Sequence, residues 1–343
     1  MPVHWRPHAA LLLAALTPLA SVTLYSRDRT AASHRLTVRN AHSMFYDSDH
    51  HQILLFGGAD ASRVCQDTWR WDSAARTWHF VTAVGPGPRT FAALAYDEHN
   101  HEAIIFGGNR VLFGTANASD TFLGDTWRFR NNRWTRINTP GPGARAEAAI
   151  AYDTRRTRIV LFGGYRRSGN QTQRFGDTWE WDGKRWTKMA TTGPSPRNGA
   201  AMAYDQDRNR VVLFGGPGPS SETWEWDGQR WTQLQAGDVP GRFNPAMVYD
   251  AARHEVVRFG GWTGKVRADD TWVLRSGKWV ALKATGPPAR NHTAIVSAPD
   301  RARTLLFGGH DGDNVFGDTW EWDGSTWVMV ASAPSEKFVD NGH

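Results

Sequence analysis

The tripeptide Phe-Gly-Gly begins at Phe56, Phe106, Phe162, Phe214, Phe259 and Phe307, at intervals of 50, 56, 52, 45 and 48 residues. A recurrence of this kind constrains the fold more than any other property of the chain. Units of such a period cannot bury both faces alone and must stack on their neighbours. Each copy sits in the same frame. An arginine precedes it, followed by a small-residue run that usually ends in Tyr-Asp: Arg89 leads into FAALAYD, Arg145 into AEAAIAYD and Arg197 into NGAAMAYD. A variable loop follows the glycines, then an Asp-Thr-Trp segment, then a second tryptophan, giving pairs such as Trp69 and Trp78, Trp179 and Trp186, or Trp320 and Trp327. The nonapeptide FGDTWEWDG even returns unchanged at Phe175–Gly183 and Phe316–Gly324. Six units span about Arg39 to Ser332.

Every unit divides into four short strands: the alanine-rich run ending in Tyr-Asp, the apolar run before the glycines, the DTWxWD segment, and a strand opening at the later tryptophan. In DTWEWD the two tryptophans share one face and Glu180 or Glu321 takes the other. Turn-forming stretches such as DSDHHQ, DQDRNR and WDG separate the strands. With 34 glycines, 18 tryptophans and 17 prolines and no sustained period of 3.6, the chain is all-β. Four-stranded units at this period predict a six-bladed β-propeller of antiparallel blades, with small residues on the innermost strands and tryptophans between blades.

The glycine pair, the Tyr-Asp turn and the spaced tryptophans resemble Kelch repeats, in the bacterial form similar to the central domain of galactose oxidase. The resemblance covers essentially everything after the first residues and implies the same propeller. The expected organisation is a leader over residues 1–22, a propeller over 35–333 and a tail over 334–343. Blade one opens with its innermost strand and blade six ends with its outermost, so closure needs no borrowed strand, with Leu36–Val38 as a candidate latch. The apolar run Ala9–Ala20 after Arg6 has the layout of a signal peptide and predicts export, periplasmic or extracellular, or an uncleaved anchor if retained. Cys65 is the only cysteine, so no intrachain disulfide exists. The formal charge of +6 comes from scattered basic residues, with no run that suggests nucleic acid.

Function is expected where repetition fails. The loops from second to third strand and from fourth to first share one face, and the former hold 8, 16, 12, 5, 8 and 8 residues, with the long ones in blades two and three. Contact candidates on that face are Arg110, Phe113, Tyr165, Arg166, Arg167, Arg174, Trp262 and His310. Behind them stands a crown of arginines, one per blade: Arg39, Arg89, Arg145, Arg197, Arg242 and Arg290. These suit a carboxylate or phosphate. Each blade also supplies an acid, Asp67, Asp125, Asp177, Glu222, Asp270 or Asp318, so internal ion pairs that hold loops in place are the favoured reading. Asp49, His50, His51, His99, His101 and Glu102 have metal-ligand chemistry but occupy turns, and a solvated role is expected. No metal or cofactor is predicted. Galactose oxidase would imply a copper centre with a Tyr-Cys cross-link, and no tyrosine partner for Cys65 is evident. The resemblance also admits a sialic acid mutarotase, an enzyme of acidic sugars, as the runner-up. The expected function is a monomeric binding module for a protein or carbohydrate.

Overall fold

The computed structural model describes residues 35–112, 121–189 and 192–338, besides Met1. Six four-stranded antiparallel sheets follow one another along the chain, and each is built from one repeat. In blade one the strands are Ser43–Asp47, Gln52–Phe56, Thr68–Asp72 and Thr77–Thr82. The innermost strands of the next five are Ala93–Asp97, Ala149–Asp153, Ala200–Asp205, Ala246–Asp250 and Ala294–Ala298. Short side chains dominate these strands because they converge at the axis, where larger ones collide.

The repeated letters are explained by the seams between blades. The phenylalanine of each Phe-Gly-Gly packs on the later tryptophan of the following blade, as Phe56 does on Trp134 and Phe214 on Trp279, with ring centroids 5.0 and 5.3 Å apart. That tryptophan donates its indole N–H back to the threonine of Asp-Thr-Trp, Trp134 to Thr68 at 2.9 Å and Trp279 to Thr223 at 3.0 Å. The second glycine donates its N–H to the carbonyl of the next crown arginine, Gly58 to Arg89 at 2.9 Å. These contacts bury aromatic area and satisfy donors that the core would otherwise strand.

Closure uses the same bonds. Phe307 packs on Trp78 at 5.2 Å, Trp78 donates to Thr319 at 3.2 Å, and Gly309 N–H donates to the Arg39 carbonyl at 2.7 Å. Gly308 makes this approach possible: its φ is +64°, and a Cβ there would run into the Arg39 carbonyl. Leu36–Val38 forms no strand. Instead Leu36 is buried between blades one and six, and Val38 packs with Ala61, Val315 and Phe338. Three additions depart from the common blade. Blade three carries an extra hairpin, Tyr165–Ser168 with Gln171–Arg174. Blade five lengthens its middle strands to Glu255–Trp262 and Arg267–Arg275. Near the C-terminus Glu336–Lys337 pairs with Asn314–Val315 of blade six.

Candidate functional site

The crown arginines are buried, Arg290 with 0% and Arg242 with 5% of its surface exposed, and their forks are occupied within their own blades. Arg290 donates to both carboxylate oxygens of Asp318 at 2.6 and 2.8 Å, to the Gly308 carbonyl at 2.9 Å and to the Pro288 carbonyl at 3.0 Å. Arg89 and Arg145 repeat the pattern with Asp125 and Asp177. Arg39, Arg197 and Arg242 pair with Asp67, Glu222 and Asp270. In all blades but the first the same acid accepts the indole N–H of its own Asp-Thr-Trp tryptophan, as Asp318 does from Trp320 at 2.7 Å. Asp-Thr-Trp therefore serves three contacts: the acid anchors the crown, the threonine the next blade, and the tryptophan the core.

Two residues beyond each crown arginine lies a second ring, which the repeat pattern hides. Ala41, Phe91, Glu147, Gly199, Asn244 and His292 occupy it, all with left-handed φ between +51° and +65°. Their backbones are linked around the axis. Ala41 N–H donates to the His292 carbonyl at 2.9 Å, Phe91 to Ala41 at 2.9 Å, Glu147 to Phe91 at 3.1 Å, Gly199 to Glu147 at 3.3 Å and Asn244 to Gly199 at 2.7 Å. These bonds account for an unusual conformation at five non-glycine residues. The backbone repeats while the side chains do not, so this ring carries chemistry that differs from blade to blade. The signal in the sequence was the mixed composition of one register position beside an otherwise constant arginine.

A cavity of about 200 Å³ opens at the ring and is lined by these six residues together with His42 and small neighbours. Polar side chains at its wall and behind it form a chain across four blades. Arg174 Nε donates to Asn198 Oδ1 at 2.9 Å, and Asn198 Nδ2 to Glu147 Oε2 at 2.7 Å. Asn244 Nδ2 lies 2.6 Å from His292 Nε2, and His292 Nδ1 lies 2.7 Å from His310 Nε2. An amide donor on Nε2 leaves the His292 proton on Nδ1, facing His310. Burial holds His292 well below the ordinary imidazole range and lowers His310 to about 3, so both rings are neutral. Burial pushes the Glu147 carboxyl up to about 7, against the pull of Asn198, Asn244 and Arg174.

The Glu147 shift sets a pH dependence. Between the ordinary glutamate range and pH 7 the folded chain holds a proton that the unfolded chain releases, so this contribution is full in acid and lost as pH rises through 7. Glu147→Gln is expected to remove that loss and to raise stability at pH 8 by about 1–3 kcal/mol with little change at pH 4. Urea titrations at the two pH values check this.

Around the cavity stands a rim. Arg110, Arg166, Arg167 and Arg174 are exposed, and among the described residues none forms an ion pair. Arg166 and Arg167 donate to polar groups across their own hairpin, Gln173 at 2.8 Å and Thr172 at 3.3 Å. Tyr165 packs edge-on against Phe122 of blade two. Trp262 is half-buried beneath the Arg267 guanidinium at 5.1 Å. His310, 1% exposed, lies under the rim rather than on it. Phe113 falls outside the described residues.

The opposite end of the channel is formed by the tyrosines of the Tyr-Asp turns, Tyr46, Tyr96, Tyr152, Tyr204 and Tyr249. Tyr96 donates to Asp47 at 2.9 Å, and His101 Nδ1 lies 2.8 Å from Asp49, so the histidine-bearing turns are bonded to carboxylates and to one another. Among the described residues no three His, Cys, Asp or Glu side chains converge as metal ligands.

Fold and face define a six-bladed Kelch-type propeller with one chemically varied mouth. A family model described as the KLHDC2/KLHL20/DRC7 Kelch-repeats domain matches residues 19–216, and the chain belongs to this Kelch-repeat family. Similar curated proteins include the flagellar outer-arm dynein alpha chain of Chlamydomonas reinhardtii, 31% identical over 151 residues, which are 42% of this chain and 3% of the dynein. An F-box/kelch-repeat protein of Arabidopsis thaliana is 27% identical over 205 residues, 52% of this chain and 39% of the relative. Kelch domain-containing protein 3 of Rattus norvegicus is 27% identical over 182 residues, 50% and 46% of the two chains. This chain spans less than half the length of each of these relatives.

Proposed function

We propose that the protein is a binding scaffold whose crown face takes an acidic segment of a protein partner across blades two and three. The observation that carries this reading is the set of exposed guanidinium groups on one rim, Arg110, Arg166, Arg167 and Arg174, which form no ion pair among the described residues, while the arginines beneath them are neutralised within their blades. Membership of a Kelch-repeat family supports protein binding as the general role. Export belongs to the same reading and rests on the apolar run at residues 9–20, which lies outside the described residues. The enzyme of acidic sugars is less well supported, because the crown arginines it would need for a carboxylate are already paired with their own acids.

The test is a triple charge reversal, Arg110→Glu, Arg166→Glu and Arg167→Glu, measured with an Asp/Glu-rich decapeptide by fluorescence anisotropy. Binding is expected to weaken by at least about tenfold and to fall with added salt in the parent, while the melting temperature holds. Equal affinity of parent and variant would refute the reading.

A further inference from the structure

We propose that the cavity at the crown end of the channel binds one small, uncharged, polyhydroxylated molecule: a sugar or polyol of monosaccharide size. Size, polarity and charge each point to it independently of the rim. The cavity holds about 200 Å³, below the range of about 300–1,000 Å³ typical of sites for drug-sized ligands. Its wall sets the polar Glu147 and Asn244 on one side against the Phe91 ring and alanines on the other, the mixture that matches hydroxyls and ring carbons alike.

Charge narrows the choice further. The guanidinium groups nearest the axis are turned into their blades and neutralised by acids. The buried imidazoles are neutral, so among the described residues that line the cavity an anion finds no cation. His42 borders the cavity, but its ring is turned toward blade six, edge-on to Phe307 at 5.4 Å. Glu147, poised at a half-ionised carboxyl near neutral pH, can accept from one hydroxyl or donate to another.

The experiment uses the whole protein, saturation-transfer NMR and calorimetry. The probes are glucose, galactose, mannose and myo-inositol, with glucuronate as an anion of the same size. At least one neutral probe is expected to bind, and glucuronate to bind at least about tenfold more weakly than the best of them, a difference of about 1.4 kcal/mol. Glu147→Gln and, separately, Asn244→Gly, which keeps the left-handed backbone accessible, are each expected to weaken that binding about tenfold. Should the glycine variant fail to fold, Glu147→Gln decides alone. Arg166→Glu with Arg167→Glu is expected to leave sugar binding unchanged, which separates a failure here from a failure of the rim. The proposal is overturned if no neutral probe binds, if glucuronate binds as well as the best of them, or if Glu147→Gln binds like the parent.

Discussion

Arg290→Ala is expected to destabilise the propeller by about 3–5 kcal/mol, the range for breaking a buried ion pair by removing one partner. The loss has identifiable parts. Among the described residues Asp318 would keep only the Trp320 indole, at 2.7 Å, for a carboxylate largely out of water. The Gly308 and Pro288 carbonyls would each lose a donor, and Phe316 would lose the guanidinium that lies 4.2 Å from its centroid. A double variant, Arg290→Ala with Asp318→Asn, is expected to recover part of the loss, because the uncompensated charge goes with the carboxylate. Urea denaturation of the parent, the single variants and the double variant completes the cycle, and additive effects would show that the pair is not coupled.

Arg258→Leu is expected to act in the opposite sense and to stabilise the fold by about 1–4 kcal/mol. Arg258 is also fully buried, but its surroundings do not satisfy it. Among the described residues its only ion-pair contact is to Asp270 at 3.5 Å, and Nε and Nη1 have no hydrogen-bond partner. The rings of Phe214, Trp272 and Trp279 lie 5.0, 5.6 and 5.9 Å from the guanidinium and offset part of its desolvation. Burial still lowers its pKa to about 9. The other blades place Leu55, Ile105, Leu161, Leu213 and Leu306 at this register, each buried at the seam. Asp270 would retain Arg242 and the Trp272 indole, both at 2.6 Å. A rise in the denaturation midpoint with an unchanged slope is the expected record, and a fall would mean that the aromatic contacts outweigh the unmet donors.

The contrast between these two arginines marks how far the letters go. The crown was legible because arginine and acid recur at fixed places in every unit, so the pairing could be read from repetition. The seams were legible as tryptophan-rich surfaces, but not the threonine-to-indole bonds, since partners such as Thr223 and Trp279 are 56 residues apart and in different blades. Arg258 stands in plain view before its glycine pair, yet which side of a strand meets a neighbouring blade is settled only by packing. The ring at the channel mouth was hidden for a different reason. Left-handed backbone is usually announced by glycine or asparagine, and only Gly199 and Asn244 announce it here. At Phe91, Glu147 and His292 the conformation is imposed by hydrogen bonds from the adjoining blades, which no single unit contains. Likewise Glu336–Lys337 reads as tail in sequence but completes a short ladder, because Phe338 finds a buried cluster with Val38, Ala61 and Val315.

The central claim is that repetition builds the wheel while the unrepeated residues of one mouth do the binding. Hydrogen–deuterium exchange of the whole chain, with and without the Asp/Glu-rich peptide, tests it most directly. The account predicts new protection at Tyr165–Ser168, Gln171–Arg174 and around Arg110, and none on the turns that carry Tyr96 and His101. Protection confined to those turns, or to the outermost strands, would contradict it.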